Sequence, residues 1–179
     1  QDGMVITELD SVPGGIGLTG ALTEIYSAAS HTPYPLPLTP HALEIVGGPE
    51  GMVRGFAAML RSQLAQHTGC VAILVSEEAK DYQPEMTCLA SKLRAISLDA
   101  YCVEPRSIRF TEEGLRITSE GMDQPVALIY RFYELFDLLN IPKSEHSEYA
   151  IKKDRVAVTP PYKPALEEKL AFARLHHPA

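Results

Sequence analysis

The sequence predicts an α/β domain in which helices cover both faces of a mainly parallel sheet. The segment 70–76 (CVAILVS) is almost entirely apolar, as is typical of a parallel strand that is buried on both faces. An amphipathic segment at 83–96 and a β-prone segment at 97–104 follow it, in the order of a β-α-β unit. A further apolar segment, 125–132 (PVALIYRF), predicts another buried strand. These alternating elements favour a sheet with helices on both sides.

The residues before this unit predict a strand, a sharp turn and a helix. Residues 4–10 begin with a β-prone run and predict a strand that ends near Asp10. Residues 13–15 are Pro-Gly-Gly and predict a turn. From residue 16 to about residue 29 the apolar residues recur at helical spacing, which predicts a helix. The segment 31–40 (HTPYPLPLTP) holds four prolines and predicts a stiff connector before the next helix.

The C-terminal part predicts a hairpin and then a mixture of short elements. Residues 106–110 and 115–118 flank the turn "TEEG" and predict the hairpin. Two short helices, a strand near 155–158 and a helix at 164–175 complete the expected order.

Composition and charge narrow the class of protein. The chain has 179 residues, 45% of them hydrophobic, and a formal net charge of −7. This charge argues against nucleic acid and against an anionic membrane surface as partners. No apolar run approaches the roughly 20 residues of a membrane span. The three cysteines are odd in number and lack C-x-x-C spacing, which predicts reduced thiols and a cytoplasmic location.

Two acids near the start of the chain predict a metal–phosphate site. Glu8 and Asp10 lie two apart on the predicted strand, so their carboxylates share a face and repel unless a cation separates them. Mg²⁺ favours such oxygen ligands. Gly14 and Gly15 allow backbone to approach an anion, and a helix beginning near Ile16 directs its N–H groups there. The alternative is an exposed strand end with two solvated acids.

The segment from Glu8 to Gly14 resembles the magnesium-binding motif of the ATP-grasp ligases, Glu-x-Asn-x-x-Pro-Gly. Asp10 stands in place of the Asn, and the resemblance implies that Glu8 bridges the metal ions while Asp10 binds one of them. Because this segment precedes the β-α-β region, the order resembles that of the circularly permuted ATP-grasp group, which includes glutathionylspermidine synthase-like proteins. Segments 126–132 and 158–175 resemble parts of that group's Rossmann-like pre-ATP-grasp domain.

The resemblance implies a division of the chain into three segments. We expect residues 1–30 to be the end segment of an ATP-grasp lobe, 31–69 to be a connector and helix, and 70–179 to be the Rossmann-like pre-ATP-grasp domain. No lysine-bearing segment followed by a glycine-rich loop is found for the nucleotide phosphates. We therefore expect a fragment that lacks the nucleotide-binding core, is inactive in isolation and carries no cofactor.

The resemblance also implies a function for the complete protein. It is expected to be an ATP-dependent carboxylate–amine ligase that uses Mg²⁺ and ATP to form a peptide bond. Its partners would be a small-molecule carboxylate, an amine and the rest of its own polypeptide. Two alternatives remain open, a non-catalytic small-molecule binding module with a Rossmann-like fold and a structural domain without a ligand.

Two further groups of residues predict a substrate site at the carboxyl edge of the sheet. The loop after strand 70–76 contains Ser76, Glu77, Glu78 and Tyr82, and ligands of α/β sheets bind at such positions. We expect these four residues to face a substrate amine, the alternative being an ordinary polar loop. Arg131 ends another strand and is expected at the same edge, where a guanidinium binds a carboxylate well. The alternative role for Arg131 is an internal salt bridge.

Overall fold

The computed structural model describes residues 12–29, 45–64 and 67–167, which form an α/β fold around a six-stranded sheet. Its helices are α1 (Ile16–Ala29), α2 (Gly51–Leu64), α3 (Gln83–Ala95) and α4 (Ser144–Lys152). Its strands are β1 (Cys70–Val75), β2 (Ala100–Val103), β3 (Arg109–Thr111), β4 (Gly114–Ser119), β5 (Met122–Phe132) and β6 (Ala157–Thr159). Among the described helices, none has the length and apolar character needed to cross a membrane. The predicted strand at 4–10 and the end of the predicted last helix lie outside the described residues.

The sheet is mixed, and the expectation of a mainly parallel sheet is not confirmed. Its strand order is β2-β1-β5-β4-β3, and β6 also pairs with β5. β1 runs parallel to β2 and β5, and β6 runs parallel to β5. The antiparallel pairs come from the predicted hairpin β3–β4 and from its pairing with the first residues of β5. A long β5 therefore joins the hairpin to the parallel part of the sheet.

Strand β1 is buried on both faces, as its apolar sequence predicts. All six of its residues are buried. Val71, Ile73 and Val75 belong to the core that α2 and α3 cover. Cys70, Ala72 and Leu74 belong to the opposite core, which includes Ala150 of α4. The expectation of helices on both faces is thus confirmed.

The connections after β1 and β5 leave in opposite directions. The chain passes from β1 through α3 to β2, and from β5 through α4 to β6. β1 and β5 stay paired to their last residues, but the connections that follow them go to opposite faces of the sheet, because α3 and α4 cover opposite faces. In open α/β sheets a crevice forms at such a point, and ligands bind there.

Helix α1 begins at Ile16, as predicted, and packs through its glycines. Gly15 has a φ of +84°, which a glycine adopts without strain, and it turns the chain into the helix. Gly17 and Gly20 are the buried residues of α1 and lie beside Glu85 and Val53, respectively. The periodic apolar side chains of α1 instead point outward, and Ile25 is 62% exposed.

The three cysteines are free thiols. Cys70 is buried in the sheet, and this burial raises the pKa of its thiol to about 12. Cys88 is exposed and Cys102 is half-buried, so burial is not shared by all three. Their free state agrees with the prediction from their number and spacing.

Candidate functional site

Two cavities open at the carboxyl ends of β1 and β5. The first, which we call the acidic cavity, has a volume of about 410 Å³. Its polar lining consists of Ser76, Glu77, Glu78, Glu104, Arg106, Asp137 and Asn140. The second, the aromatic cavity, has a volume of about 250 Å³. Its aromatic lining residues are Tyr82, Phe132, Tyr133 and Phe136.

The predicted substrate loop lines both cavities. Glu77 contributes to the acidic cavity and Tyr82 to the aromatic one. Ser76 and Glu78 line both cavities and so form the wall between them. The four residues predicted from the end of β1 therefore lie together at the carboxyl edge of the sheet. Their contact with a substrate amine stays a prediction.

The predicted phosphate turn lies against the same loop. A Cβ atom at Gly14 would lie only 2.5 Å from Cε1 of Tyr82, so the turn packs directly on this ring. Val12, which precedes the turn, lines the aromatic cavity. Glu8 and Asp10, the predicted metal ligands, lie outside the described residues. The segment that follows them nevertheless reaches the crevice.

The N-terminus of α1, predicted to face a phosphate, binds a carboxylate of the protein itself. The Gly17 N–H donates a hydrogen bond to Oε1 of Glu85 over 2.9 Å. A Cβ at Gly17 would lie 2.8 Å from Cγ and from the backbone oxygen of Glu85, so the close approach requires glycine. One N–H group of the first helical turn is therefore already paired with an anion from α3.

Two of the carboxylates at the acidic cavity are neutralised by basic neighbours. Glu77 accepts a hydrogen bond from Nζ of Lys80 over 2.9 Å and lies 3.7 Å from the guanidinium of Arg106. The hydrogen bond and the charge of Lys80 lower the pKa of the Glu77 carboxyl, and Arg106 lowers it further. Arg106 also pairs with Glu104 over 2.5 Å. These two acids are held as ion pairs at the rim.

The remaining two acids, Glu78 and Asp137, face each other. A hydrogen bond to Asp137 and its negative charge raise the pKa of the Glu78 carboxyl above the usual range. Asn140 donates a hydrogen bond from Nδ2 to Oδ1 of Asp137 over 2.6 Å and so orients it. Two adjacent carboxylates repel, and a cation placed between them relieves the repulsion.

An organic ammonium group fits this pair of carboxylates. An ammonium group offers three N–H donors, and both Glu78 and Asp137 accept hydrogen bonds when ionised. The acidic cavity can therefore bind and orient a primary amine in its charged form.

Arg131 forms an internal ion pair and lies apart from both cavities. β1 and β5 do end at the same edge, as expected, because Val75 pairs with Phe132. The Arg131 side chain, however, is fully buried, and its Nη2 lies 2.8 Å from Oε1 of Glu167. It also donates to backbone carbonyls, among them that of Tyr133. The alternative of an internal salt bridge is what the structure shows, and no free guanidinium is left for a substrate carboxylate.

Several residues of the crevice were not predicted from the sequence. Glu104 follows β2 at the same edge, so the rule that indicated Ser76 to Tyr82 also applies to it. Phe136, Asp137 and Asn140 belong to a short 3₁₀ helix after β5, Leu135–Asn140. Nothing in the local sequence indicates which side chains of this segment turn toward the loop after β1.

Comparison with known proteins gives no match to a family model, to a curated protein or to a solved structure. Fold class alone does not define a function, because one fold supports many. The geometry and charge of the crevice are therefore the basis for a functional assignment.

We predict that Glu167→Gln destabilises the protein strongly. The substitution leaves an oxygen to accept the hydrogen bond of the Leu135 N–H, 2.8 Å in the wild type, but removes the charge opposite Arg131. An unpaired buried guanidinium should cost about 3–5 kcal/mol in the free energy of unfolding, measured by urea denaturation. Glu50→Gln is the matched control, since Glu50 pairs with Arg54 on the surface, and it should cost less than about 1 kcal/mol. Equal losses for both variants would contradict a structural role for Arg131.

Proposed function

We propose that this chain is part of an ATP-dependent carboxylate–amine ligase of the ATP-grasp type, and that its acidic cavity binds the amine substrate. The observation that carries the amine part is the facing pair Glu78 and Asp137 at the carboxyl ends of β1 and β5. Like charges held together in a crevice favour a cationic ligand, which the ammonium form of an amine supplies.

The sheet supports a Rossmann-like domain as part of this proposal. Strands β2, β1, β5 and β6 run parallel to one another, and the crossovers from β1 and β5 lie on opposite faces. Rossmann-like folds share this divergence and bind their ligands beside it. The hairpin β3–β4 is then an insertion ahead of β5 in this arrangement.

The acidic cavity offers two chemical functions to such a reaction. In ligases of this class a carboxylate is activated as an acylphosphate and an amine then displaces phosphate, so the amine must lose a proton before it attacks. Asp137 and Glu78 orient the ammonium group, and Glu78 accepts the proton.

The metal site of the proposed ligase belongs to the segment that precedes the turn at Gly14 and Gly15. Glu8 and Asp10 are the proposed ligands of Mg²⁺, which neutralises negative charge on a transferring phosphoryl group when bound. The contact of Gly14 with Tyr82 supports this arrangement, because it brings the chain that follows Asp10 to the aromatic cavity, which adjoins the amine site.

A non-catalytic module that binds a small amine is the second candidate. The same pair of carboxylates supports it, because binding requires the crevice but no phosphoryl transfer. In either case we propose a cytoplasmic location, since free thiols such as Cys70, Cys88 and Cys102 are typical of reducing compartments. ATP-dependent turnover distinguishes the ligase from the binding module.

We predict that ethylamine binds to this chain through Glu78 and Asp137. Calorimetry at neutral pH should show an affinity that falls about tenfold or more in Glu78→Gln and in Asp137→Asn, because each loses a charged acceptor. Affinity should rise as the pH increases through the raised pKa of Glu78, since ionisation adds the second negative charge. Glu113→Gln is the control, because Glu113 is 88% exposed and lines neither cavity. No heat of binding, or equal losses in all three variants, would overturn the amine site.

The ligase assignment predicts that Glu8→Gln and Asp10→Ala abolish ATP turnover by the complete protein. The measurement is release of ADP with ethylamine and a panel of small carboxylates, alongside thermal melting of each variant. Melting should change little, because removing one of two like charges relieves repulsion. Normal turnover in both variants, or unfolding of either, would contradict a metal-binding role for these acids.

A further inference from the structure

We propose that the aromatic cavity binds the apolar part of the same amine, so that the substrate is an amine carrying an aromatic ring on a short chain. This inference rests on the proposed function of the acidic cavity and adds the class of amine to it. Ligand sites commonly combine an apolar lining with a few convergent polar groups, and the two cavities together have this composition.

The shared wall connects the two cavities. Ser76 and Glu78 line both, so an ammonium group bound at Glu78 has its neighbouring carbon atoms beside the wall. Ser76 is only 4% exposed, and its Oγ accepts a hydrogen bond from the Ala79 N–H, which fixes the start of the loop. Because the two cavities share these residues, the proposed amine needs only a short chain between its ammonium group and its ring.

The rings of the aromatic cavity suit an aromatic guest. Phe132 and Tyr133 line the cavity and are buried, with 1% and 2% exposure. The rings of Tyr82 and Phe132 lie 5.3 Å apart at 57°, within the range of favourable aromatic pairs. A third ring beside them gains further contacts of the same kind.

Two aromatic side chains at this cavity remain open to solvent. Tyr82 is 45% exposed and Phe136 is 79% exposed, although both line the cavity. Covering such rings removes apolar surface from water and is favourable in proportion to the area covered. Glu78 also lines this cavity, and its carboxylate favours a guest that carries a positive charge. Exposed aromatic surface and a carboxylate pair together indicate an aralkylamine.

Another cavity of similar size does not offer this combination. It lies beside α4, has a volume of about 400 Å³ and is lined by Leu135, Leu138, Ile151 and Tyr162. Its carboxylate, that of Glu148, lies 3.9 Å from Nζ of Lys152 and is thus already opposed by a cation. The crevice between β1 and β5 is therefore the better site for a charged aromatic amine.

The experiment compares 2-phenylethylamine with ethylamine by calorimetry on this chain. The two amines share the ammonium group and differ by the ring. The inference predicts that 2-phenylethylamine binds about tenfold more tightly, because only its ring reaches the aromatic cavity. Phe136→Ala should remove most of this advantage and leave ethylamine unaffected. Leu139→Ala is the matched control, since Leu139 belongs to the same 3₁₀ helix, is 99% exposed and lines neither cavity.

The outcomes separate this inference from the proposed function. Equal affinity for the two amines would overturn the aromatic subsite and leave the amine site standing. Loss of the advantage in Leu139→Ala as well as in Phe136→Ala would also overturn it. If neither amine binds, the amine site itself fails and the inference fails with it.

Discussion

The burial of β1 on both faces is the constraint on which the rest of the structure depends. A strand without a polar face must be shielded from water on both faces of the sheet. α3 belongs to the layer on one face, and α4 belongs to the layer on the other. The crossovers that provide this cover leave β1 and β5 in opposite directions, and the divergence opens the crevice. The apolar sequence CVAILV therefore determines at which strand ends the crevice lies, and the segments that follow the strands supply its side chains.

Charge within the crevice is distributed so that one pair of acids stays without a basic partner among its described contacts. Lys80 and Arg106 neutralise Glu77 and Glu104 at the rim. Glu78 instead faces Asp137, and a hydrogen bond to Asp137 together with its negative charge raises the pKa of the Glu78 carboxyl. The buried guanidinium of Arg131 does not relieve this repulsion, because it is directed to Glu167. Because Arg131 is paired with Glu167 inside the protein, it leaves the negative charge of the acidic cavity in place, and the cavity stays suited to a cation.

Much of the fold followed from periodicity, because helices and buried strands repeat their apolar residues at fixed intervals. The helix from Ile16 to Ala29 and the order of β1, α3 and β2 were predicted on this basis. The outward orientation of Ile25 was not predicted. The buried residues of α1 are glycines, which carry no hydropathy signal. Pairing of β5 with the hairpin was also missed, since parallel and antiparallel neighbours leave similar patterns in a buried strand.

The candidate site was predictable where it depends on strand ends and unpredictable where it depends on packing. Glu78 lies in the loop after β1, and the tendency of α/β sheets to bind ligands at the carboxyl ends of their strands indicated it. Asp137 reaches the same cavity only because the 3₁₀ helix after β5 turns back toward the loop. The internal partner of Arg131 lies 36 residues further along the chain, at Glu167, and no local pattern connects the two.

The measurement that tests the crevice most directly is the mapping of backbone amide chemical shifts by NMR while ethylamine is added to the chain. If the ends of β1 and β5 form the amine site, the shifts that change will belong to residues 76–82 and 133–140. Changes confined to Glu148, Ile151 and Tyr162, which line the cavity beside α4, would contradict the account.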